Sequence, residues 1–118
     1  MIKQLTQQKC RPCEGIGDVL SAQKIEEYRA QISPKWEVVG RNKLLRREFI
    51  FKNFVRAMAF LNGVADIAEQ EGHHPDFRLH NYKKITLETT THAILGLSRN
   101  DFILAAKIDY LLHEKGAK

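Results

Sequence analysis

The chain has few of the residues that build disulfide or membrane-spanning frameworks. Its 118 residues include 2 Cys, 3 Pro and 1 Trp. Two cysteines cannot form the multiple disulfides of a small secreted scaffold. No stretch approaches the roughly 18 to 20 consecutive apolar residues of a membrane-spanning helix, and residues 1–9 lack the apolar run of a signal peptide. We therefore expect a cytoplasmic protein with reduced thiols and no membrane partner.

The remaining composition is that of an ordinary globular domain. Hydrophobic residues make up 43% of the chain and charged residues 28%, with a net charge of +5. A chain of this length can bury about two-thirds of the surface that its unfolded form exposes. We find no repeat and predict a single domain over residues 1–118. Residues 1–20 are predicted to be an irregular arm, because Pro12, Gly15 and Gly17 interrupt any period.

Three segments have the spacing of amphipathic helices. The first covers about 22–32 and stops before Pro34. The second is capped by Asn53 and ends at Gly72. The third starts at a capping box, Ser98-Arg-Asn-Asp101, and gives way to a polar tail from Glu114. The second has the most apolar positions, which are Phe54, Ala57, Met58, Leu61, Val64, Ala65 and Ala68.

Two hairpins separate these helices. Residues 36–39 and 43–51 form the first, and residues 76–80 and 83–91 the second, with apolar and polar side chains alternating along the strands. The order α-β-β-α-β-β-α predicts a two-layer α+β fold, in which a four-stranded antiparallel sheet carries three helices on one face.

Four of the five histidines lie within twenty residues, from His73 to His92. An imidazole has an ordinary pKa of about 6.5 and can give or take a proton near neutrality. Metal binding is the alternative, but consecutive residues of an extended chain point to opposite faces, so His73 and His74 are poorly placed to share an ion. Zinc would also need further ligands. We predict acid–base chemistry without a metal, and interpret His80 and His113 as surface histidines.

Two other features suggest chemistry but have simpler explanations. Cys10 and Cys13 have redox spacing, yet the residues that follow do not begin a helix that would lower a thiol pKa, so a structural role is favoured. A basic run has neither an aromatic stacking series nor a nucleic-acid motif, so a solvated surface is favoured and no nucleic-acid partner is expected. The run comprises Arg41, Lys43, Arg46, Arg47, Lys52 and Arg56.

The histidine region resembles a known family. The pattern Glu69-x3-His73-His74-Pro75, followed by Tyr82, His92 and Asp101, is similar to the signature of the pterin-4a-carbinolamine dehydratases. Similarity to the bacterial-type members extends over residues 8–112. Further matching segments are Cys10-x-Pro-Cys13-Glu-Gly, Pro34-x-Trp36, Leu45-Arg-Arg-Glu-Phe49-x-Phe51, Gly96-Leu-Ser and the run from Asp101 to Asp109.

The resemblance implies an activity and its partners. The substrate would be the 4a-hydroxytetrahydropterin left by an aromatic amino acid hydroxylase, and the product the quinonoid dihydropterin. No cofactor or metal would be required. The family also implies a homodimer or homotetramer and a functional link to such a hydroxylase. A binding or scaffold protein of the same fold is the alternative, since some animal members stabilise the dimer of a homeodomain transcription factor.

The resemblance also implies roles for site residues. His73, His74 and His92 would be catalytic, with His73 and His92 as the acid–base pair and His74 mainly binding substrate. Residues implied in substrate binding are Glu69, Pro75, Phe77, Thr91, Ala93 and Ile94.

Among the positions near these residues, Glu69 and Asp101 have more than one interpretation. Glu69 lies one helical turn before His73 and could reach that imidazole, or remain an exposed helix carboxylate. Phe77 stands where many relatives have tryptophan. Tyr82 is predicted to pack in the sheet core, and Asp101 to support the start of the third helix or to contact substrate.

Overall fold

The chain folds as an antiparallel sheet packed against three helices. The computed structural model describes residues 5–8, 10 and 19–115. The helices are α1 (Ala22–Arg29), α2 (Phe54–Glu71) and α3 (Arg99–Lys115). The strands are β1 (Glu37–Val39), β2 (Leu44–Ile50), β3 (Asp76–His80) and β4 (Lys84–Thr89). This order confirms the predicted α-β-β-α-β-β-α arrangement.

The sheet places the two hairpins side by side. Its strand order is β1-β2-β4-β3, and every neighbouring pair is antiparallel. The central pairing joins the hairpins, with Leu45 opposite Thr89 and Ile50 opposite Lys84. β1 and β3 are therefore the edge strands, and β3 follows the histidine doublet directly.

Alternation along the central strands buries one face of the sheet. In β4, Ile85 and Leu87 are fully buried, while Thr86 and Glu88, which alternate with them, are half-buried. Phe60 of α2 and Ile108 of α3 belong to the same buried cluster as these strand residues. Full burial of such a side chain contributes about 1.5–3 kcal/mol, so the common core fixes the helices on this face.

The ends of α2 and the start of α3 have the predicted caps. The Asn53 side chain accepts the Arg56 N–H at 2.9 Å. Gly72 has φ 66° and ψ 28°, a left-handed conformation that costs glycine little, and its N–H donates to the Ala68 carbonyl. At α3, Asp101 accepts the Ser98 N–H at 3.0 Å.

Two predicted boundaries were wrong. α1 ends at Arg29 rather than near residue 32, because the chain then changes to tighter turns and the Arg29 guanidinium donates to the carbonyls of Ser33 and Pro34. α3 continues to Lys115, past the polar tail predicted from Glu114, since glutamate and lysine both favour helix.

Part of the predicted irregular arm lies within the described residues. Leu5–Gln7 form a 3-10 turn, and the buried Leu5 packs against α3. Cys10 is buried as a free thiol. Cys13 and the neighbouring glycines of the predicted arm lie outside the described residues.

Some side chains also differ from expectation. Tyr82 is 60% exposed rather than in the core, because it lies with Asn81 in the tight turn between β3 and β4, where both residues have positive φ. On α2, Phe54 and Met58 are partly exposed, and Phe60 is buried instead.

Arg47 interrupts the predicted basic surface. It is buried and donates to Asp109 at 2.7 Å, on the side of β2 that faces the helices. The same Asp109 oxygen accepts the Trp36 indole N–H at 2.8 Å. Arg46 forms an ion pair with Glu88 at 2.9 Å. The basic residues are therefore divided between the core and the surface.

Within the described residues, no helix has both the length and the apolar character needed to cross a membrane.

Candidate active site

A buried histidine–carboxylate pair lies at the centre of the candidate site. The His73 Nε2 atom is 2.7 Å from Asp101 Oδ1, and the two side chains are 11% and 0% exposed. His73 follows the left-handed Gly72, and its N–H donates to the Ala68 carbonyl, so the end of α2 directs the ring. Asp101 comes from the first turn of α3. The pair thus joins two helices that are distant in sequence.

Asp101 accepts hydrogen bonds from three further donors. The hydroxyls of Thr89 and Thr91 each donate at 2.7 Å, and the Ser98 N–H donates at 3.0 Å. Three groups other than His73 thus use this fully buried carboxylate as a hydrogen-bond acceptor. His73 Nε2 is therefore the donor in the pair, which leaves Nδ1 as the second ring nitrogen.

The same carboxylate fixes the segment that carries His92. Thr91, anchored on Asp101, immediately precedes a 3-10 turn formed by His92–Ile94. The Thr91 N–H donates to the Gly96 carbonyl at 3.0 Å, which closes the loop. His92 is exposed, and its ring makes no hydrogen bond or ion pair to the described part of the chain. Asp101 thus holds His73 directly and positions His92 through its neighbour.

Among the residues implied in binding, Thr91 and Ile94 are both buried. Thr91 also exchanges a hydrogen bond with the Ser98 hydroxyl at 2.8 Å, so its side chain is committed to the loop. Ala93 lies in the middle of the 3-10 turn. The groups that this segment can present to a ligand are therefore mainly backbone N–H and C=O groups.

Glu69 contacts His74 and not His73. Its Oε2 atom lies 2.6 Å from His74 Nε2, and the two side chains are 77% and 61% exposed. Of the two interpretations of Glu69, the exposed helix carboxylate is the one found, and the left-handed turn at Gly72 directs His73 toward Asp101. An exposed pair of this kind adds at most about 1 kcal/mol to stability, so its main effect is on the direction of the His74 ring.

His74 borders an apolar groove of about 370 Å³ between α2 and β3. Glu69, Pro75 and Phe77 also line it, which brings four of the residues singled out in the sequence to one surface. Phe77 is 54% exposed and presents an aromatic ring to the groove. The other apolar lining residues are Met58, Leu61, Val64, Ala65, Ala68 and Leu79.

His80 belongs to a separate region. It lines a polar cleft of about 480 Å³ on the open side of the sheet, where its Nε2 lies 3.3 Å from the Thr86 hydroxyl. Within the described residues, no three His, Cys, Asp or Glu side chains are grouped as a metal site would require.

Sequence reasoning did not place Thr89, Glu71 or the contacts of Cys10 near the site. Thr89 continues the alternation of buried residues along β4, so its place on the inner face of the sheet could be predicted from the sequence. Its hydrogen bond to Asp101 could not. Glu71 is almost buried at the end of α2, where its carboxylate pairs with Lys107 and accepts the Cys10 N–H at 2.8 Å. Burial, reinforced by Glu71, raises the pKa of the Cys10 thiol from 9.0 to about 12. Nothing in the sequence pattern links these last residues.

The fold and the site define a class, a small α+β protein with a histidine cluster built around a buried carboxylate. The family model described as "Pterin 4 alpha carbinolamine dehydratase" matches residues 18–111. This chain belongs to that family.

Curated relatives extend the match to nearly the whole chain. A protein of Legionella pneumophila (strain Corby) is 46% identical over 112 residues, covering 95% of this chain and 98% of the relative. One from Nitrosospira multiformis is 48% identical over 110 residues, covering 93% and 94%. Both are named pterin-4-alpha-carbinolamine dehydratase, in each case as a provisional name.

Two solved structures share the fold. A "transcriptional coactivator/pterin dehydratase" from Brucella melitensis has a TM-score of 0.72 and 26% identity, covering 79% of this chain and 97% of its own. A "pterin dehydratase-like protein" described as a RuBisCO assembly factor in the alpha-carboxysome has a TM-score of 0.55 and 26% identity, covering 65% and 88%. The fold therefore occurs both in a protein described as a dehydratase and in one described as an assembly factor.

Proposed function

We propose that the protein dehydrates a 4a-hydroxytetrahydropterin to the quinonoid dihydropterin. The observation that carries this proposal is the buried Asp101, which binds His73 directly and anchors Thr91 beside His92. Family membership supports the same reaction class. Because the hydroxylation of an aromatic amino acid generates such a substrate, we place the protein after a hydroxylase of that kind.

The reaction needs one proton delivered and one removed. The C4a–O bond breaks and the oxygen, protonated by a general acid, leaves as water. A general base removes the proton from N5, and the N5 electron pair forms the C4a–N5 double bond. Two imidazoles in opposite protonation states suffice, and positioned groups of this kind typically contribute about 10² to 10⁴ in rate.

His73 and His92 are proposed as this pair. Asp101 holds the His73 Nε2–H, so Nδ1 exchanges the proton with substrate. His92 is exposed and carries no competing partner in the described residues, which suits a group that contacts a ligand. His74, directed by Glu69 at the edge of the apolar groove, is proposed mainly to bind the pterin.

Binding would combine an apolar surface with backbone groups. The pterin ring is planar, so the face of Phe77 and the groove can cover it while the Thr91–Ile94 segment satisfies its polar edge. Such a site uses no cofactor or metal, and chelator treatment is expected to leave activity intact. Activity that is lost on chelation and restored by zinc would contradict this assignment.

The direct test follows the loss of 4a-hydroxytetrahydropterin generated in situ by a phenylalanine hydroxylase. His73→Ala and His92→Ala should each lower kcat about 10²-fold, and the double variant should lose less than the product because both serve one step. His80→Ala is the matched control, since His80 lies in the other cleft, and it should stay within about twofold of wild type. Wild-type rates in both single variants would remove the catalytic assignment.

A binding or scaffold role is the second candidate. The two structural neighbours favour it, because one is described as a transcriptional coactivator as well as a pterin dehydratase and the other as a RuBisCO assembly factor. The same assay separates the candidates. If correctly folded wild-type protein does not accelerate dehydration, the binding role becomes the better proposal.

We also propose that the protein is a homodimer or homotetramer. The first turns of α2 expose Phe54, Val55 and Met58 at 50%, 74% and 37%, and neither edge strand is covered by another described strand. Light scattering after size exclusion should give a multiple of the 13.6 kDa chain mass. Val55→Glu with Met58→Glu should reduce it to one chain if this helix face forms the interface.

A further inference from the structure

The two members of the His73–Asp101 pair are held by separate segments of the chain. His73 lies two residues after the end of α2, and Asp101 lies in the first turn of α3. Their 2.7 Å separation therefore depends on how these helix ends are fixed relative to each other. A catalytic hydrogen bond of this kind is sensitive to displacements well below 1 Å.

Cys10 contacts both of these segments. Its N–H donates to the Glu71 carboxylate at 2.8 Å, and its thiol donates to the Asn100 carbonyl at 3.5 Å. Glu71 is the last residue of α2, two positions before His73, and Asn100 immediately precedes Asp101. We call these two contacts the Cys10 bridge.

The residues of the Cys10 bridge are buried, and the charge of its carboxylate is paired. Cys10 and the Glu71 side chain are 8% and 5% exposed. The other Glu71 oxygen pairs with Lys107 Nζ, so α3 also supports the carboxylate from its next turns. The bond from a backbone N–H to this charged carboxylate is the stronger contact, because thiols are weak donors. Glu71 is therefore expected to matter more than the sulfur atom.

We propose that Cys10 and Glu71 are positioning residues, which hold the ends of α2 and α3 at the separation that the His73–Asp101 pair requires. This makes a segment far from the histidines in sequence part of the site. The proposal deepens the dehydratase proposal and rests on it for its kinetic consequence. Its structural consequence, the state of the His73 ring, can be measured without substrate.

Ring ¹⁵N and ¹H signals of His73 provide that measurement. In protein labelled at histidine nitrogens, Cys10→Ala and Glu71→Ala should shift the His73 Nε2 signal away from its wild-type position, because the bond to Asp101 lengthens. Cys10→Ser should restore it in large part, since a hydroxyl can donate to the same carbonyl. Glu71→Gln should lie nearer to wild type than Glu71→Ala, because its amide oxygen can still accept the Cys10 N–H.

Kinetics provide the second measurement. Glu71→Ala should lower kcat about tenfold, and Cys10→Ala, which keeps the backbone N–H bond to Glu71, should lower it by a smaller factor. KM should stay within about twofold in both, as expected for residues that orient a catalytic group without touching substrate. Ile32→Ala is the control for general destabilisation, because Ile32 is a buried side chain after α1 with no bond to the site. It should lower the Tm and leave the His73 signals and kcat unchanged.

The proposal is overturned if Cys10→Ala and Glu71→Ala lower the Tm, as Ile32→Ala does, but keep wild-type His73 signals. The two residues would then serve packing alone. If Glu71→Ala does not fold, the comparison of Cys10→Ala with Cys10→Ser decides the question. A wild-type protein without dehydratase activity would contradict the proposed function, while the ring signals would still test the positioning role.

Discussion

At the scale of single residues, Asp101 is the side chain on which most contacts of the site depend. A buried carboxylate is unfavourable unless its oxygens are hydrogen-bonded, and here four donors share them. One of these donors belongs to His73 and another to Thr91 beside His92. The residue that supports the start of α3 is therefore also the one that organises the histidines.

Asp101→Asn is expected to damage both stability and turnover. The amide keeps the shape but places an NH₂ group against at least one hydroxyl or ring donor, which leaves buried donors unpaired. We expect a loss of about 2–4 kcal/mol in the free energy of unfolding and a fall of about 10²-fold in kcat. Urea unfolding and the dehydration assay measure the two effects.

Asp66→Asn is the matched control for that change. Asp66 is exposed on α2, so both quantities should stay at wild-type values. If Asp101→Asn retained kcat within about twofold of wild type, Asp101 would have no role in orienting His73.

The sequence located the histidine segments but not their partners. The resemblance pointed to His73, His74 and His92 through type and spacing alone. It did not predict that Glu69 pairs with His74, because this depends on the left-handed turn at Gly72. The contacts of Cys10 were unpredictable for a similar reason, since they join residues whose proximity is created only by packing against α3.

At the scale of elements, the end of α2 sets the geometry of the doublet. Gly72 has a positive φ of 66°, and a Cβ built there meets no atom within 4 Å. Only the backbone conformation, and not crowding, would oppose a side chain at this position. A side chain at residue 72 would therefore act only through the backbone, by changing the direction in which the chain enters His73.

Gly72→Ala is expected to cost about 1–2 kcal/mol in the free energy of unfolding, because alanine is strained in the left-handed region. Relief of that strain would turn His73 away from Asp101, so kcat should fall as well. Gly40→Ala is the control, since Gly40 has φ 64° and equal space but lies in the β1–β2 turn. Urea unfolding should give similar losses for both variants, and only Gly72→Ala should lower kcat. Equal kcat in the two would show that the turn does not position His73.

Periodicity predicted the existence of all three helices and four strands, and it was least accurate at their ends. The caps at Asn53 and Gly72 were readable, because asparagine and glycine have specific conformational roles. The end of α1 could not be predicted in this way, since it depends on hydrogen bonds from the Arg29 side chain to the carbonyls of Ser33 and Pro34. The exposure of Phe54 and Met58 was likewise not predictable, because the spacing of apolar residues along a helix does not show which of them pack against the sheet.

At the scale of the whole molecule, Cys10 links stability to pH. Its pKa is about 12 in the folded chain against an ordinary 9.0, so the folded state keeps the thiol proton more tightly than the unfolded state. The resulting stabilisation is fully present below about pH 9 and is lost as the pH rises toward 12. Alkali should therefore weaken the wild-type fold more than a variant without this thiol.

Cys10→Ser tests this linkage, because serine does not ionise in that range. The difference in unfolding free energy between wild type and Cys10→Ser should decrease steadily in urea titrations at pH 8, 9.5 and 10.5. Other groups, Cys13 included, are present in both proteins and cancel in the difference. A constant difference over these pH values would mean that the thiol titrates alike in the folded and unfolded states.

The strand order has a consequence for how fast this chain reaches its native state. Each hairpin joins neighbouring segments and can form on the order of microseconds. The β2–β4 pairing instead brings Leu45 to Thr89 across α2, and loop closure of that length must precede its hydrogen bonds. The rate-limiting barrier is therefore expected where the two hairpins dock. Substitutions that weaken a hairpin formed before this barrier, as in the tight turn at Asn81, should slow folding and change the unfolding rate little.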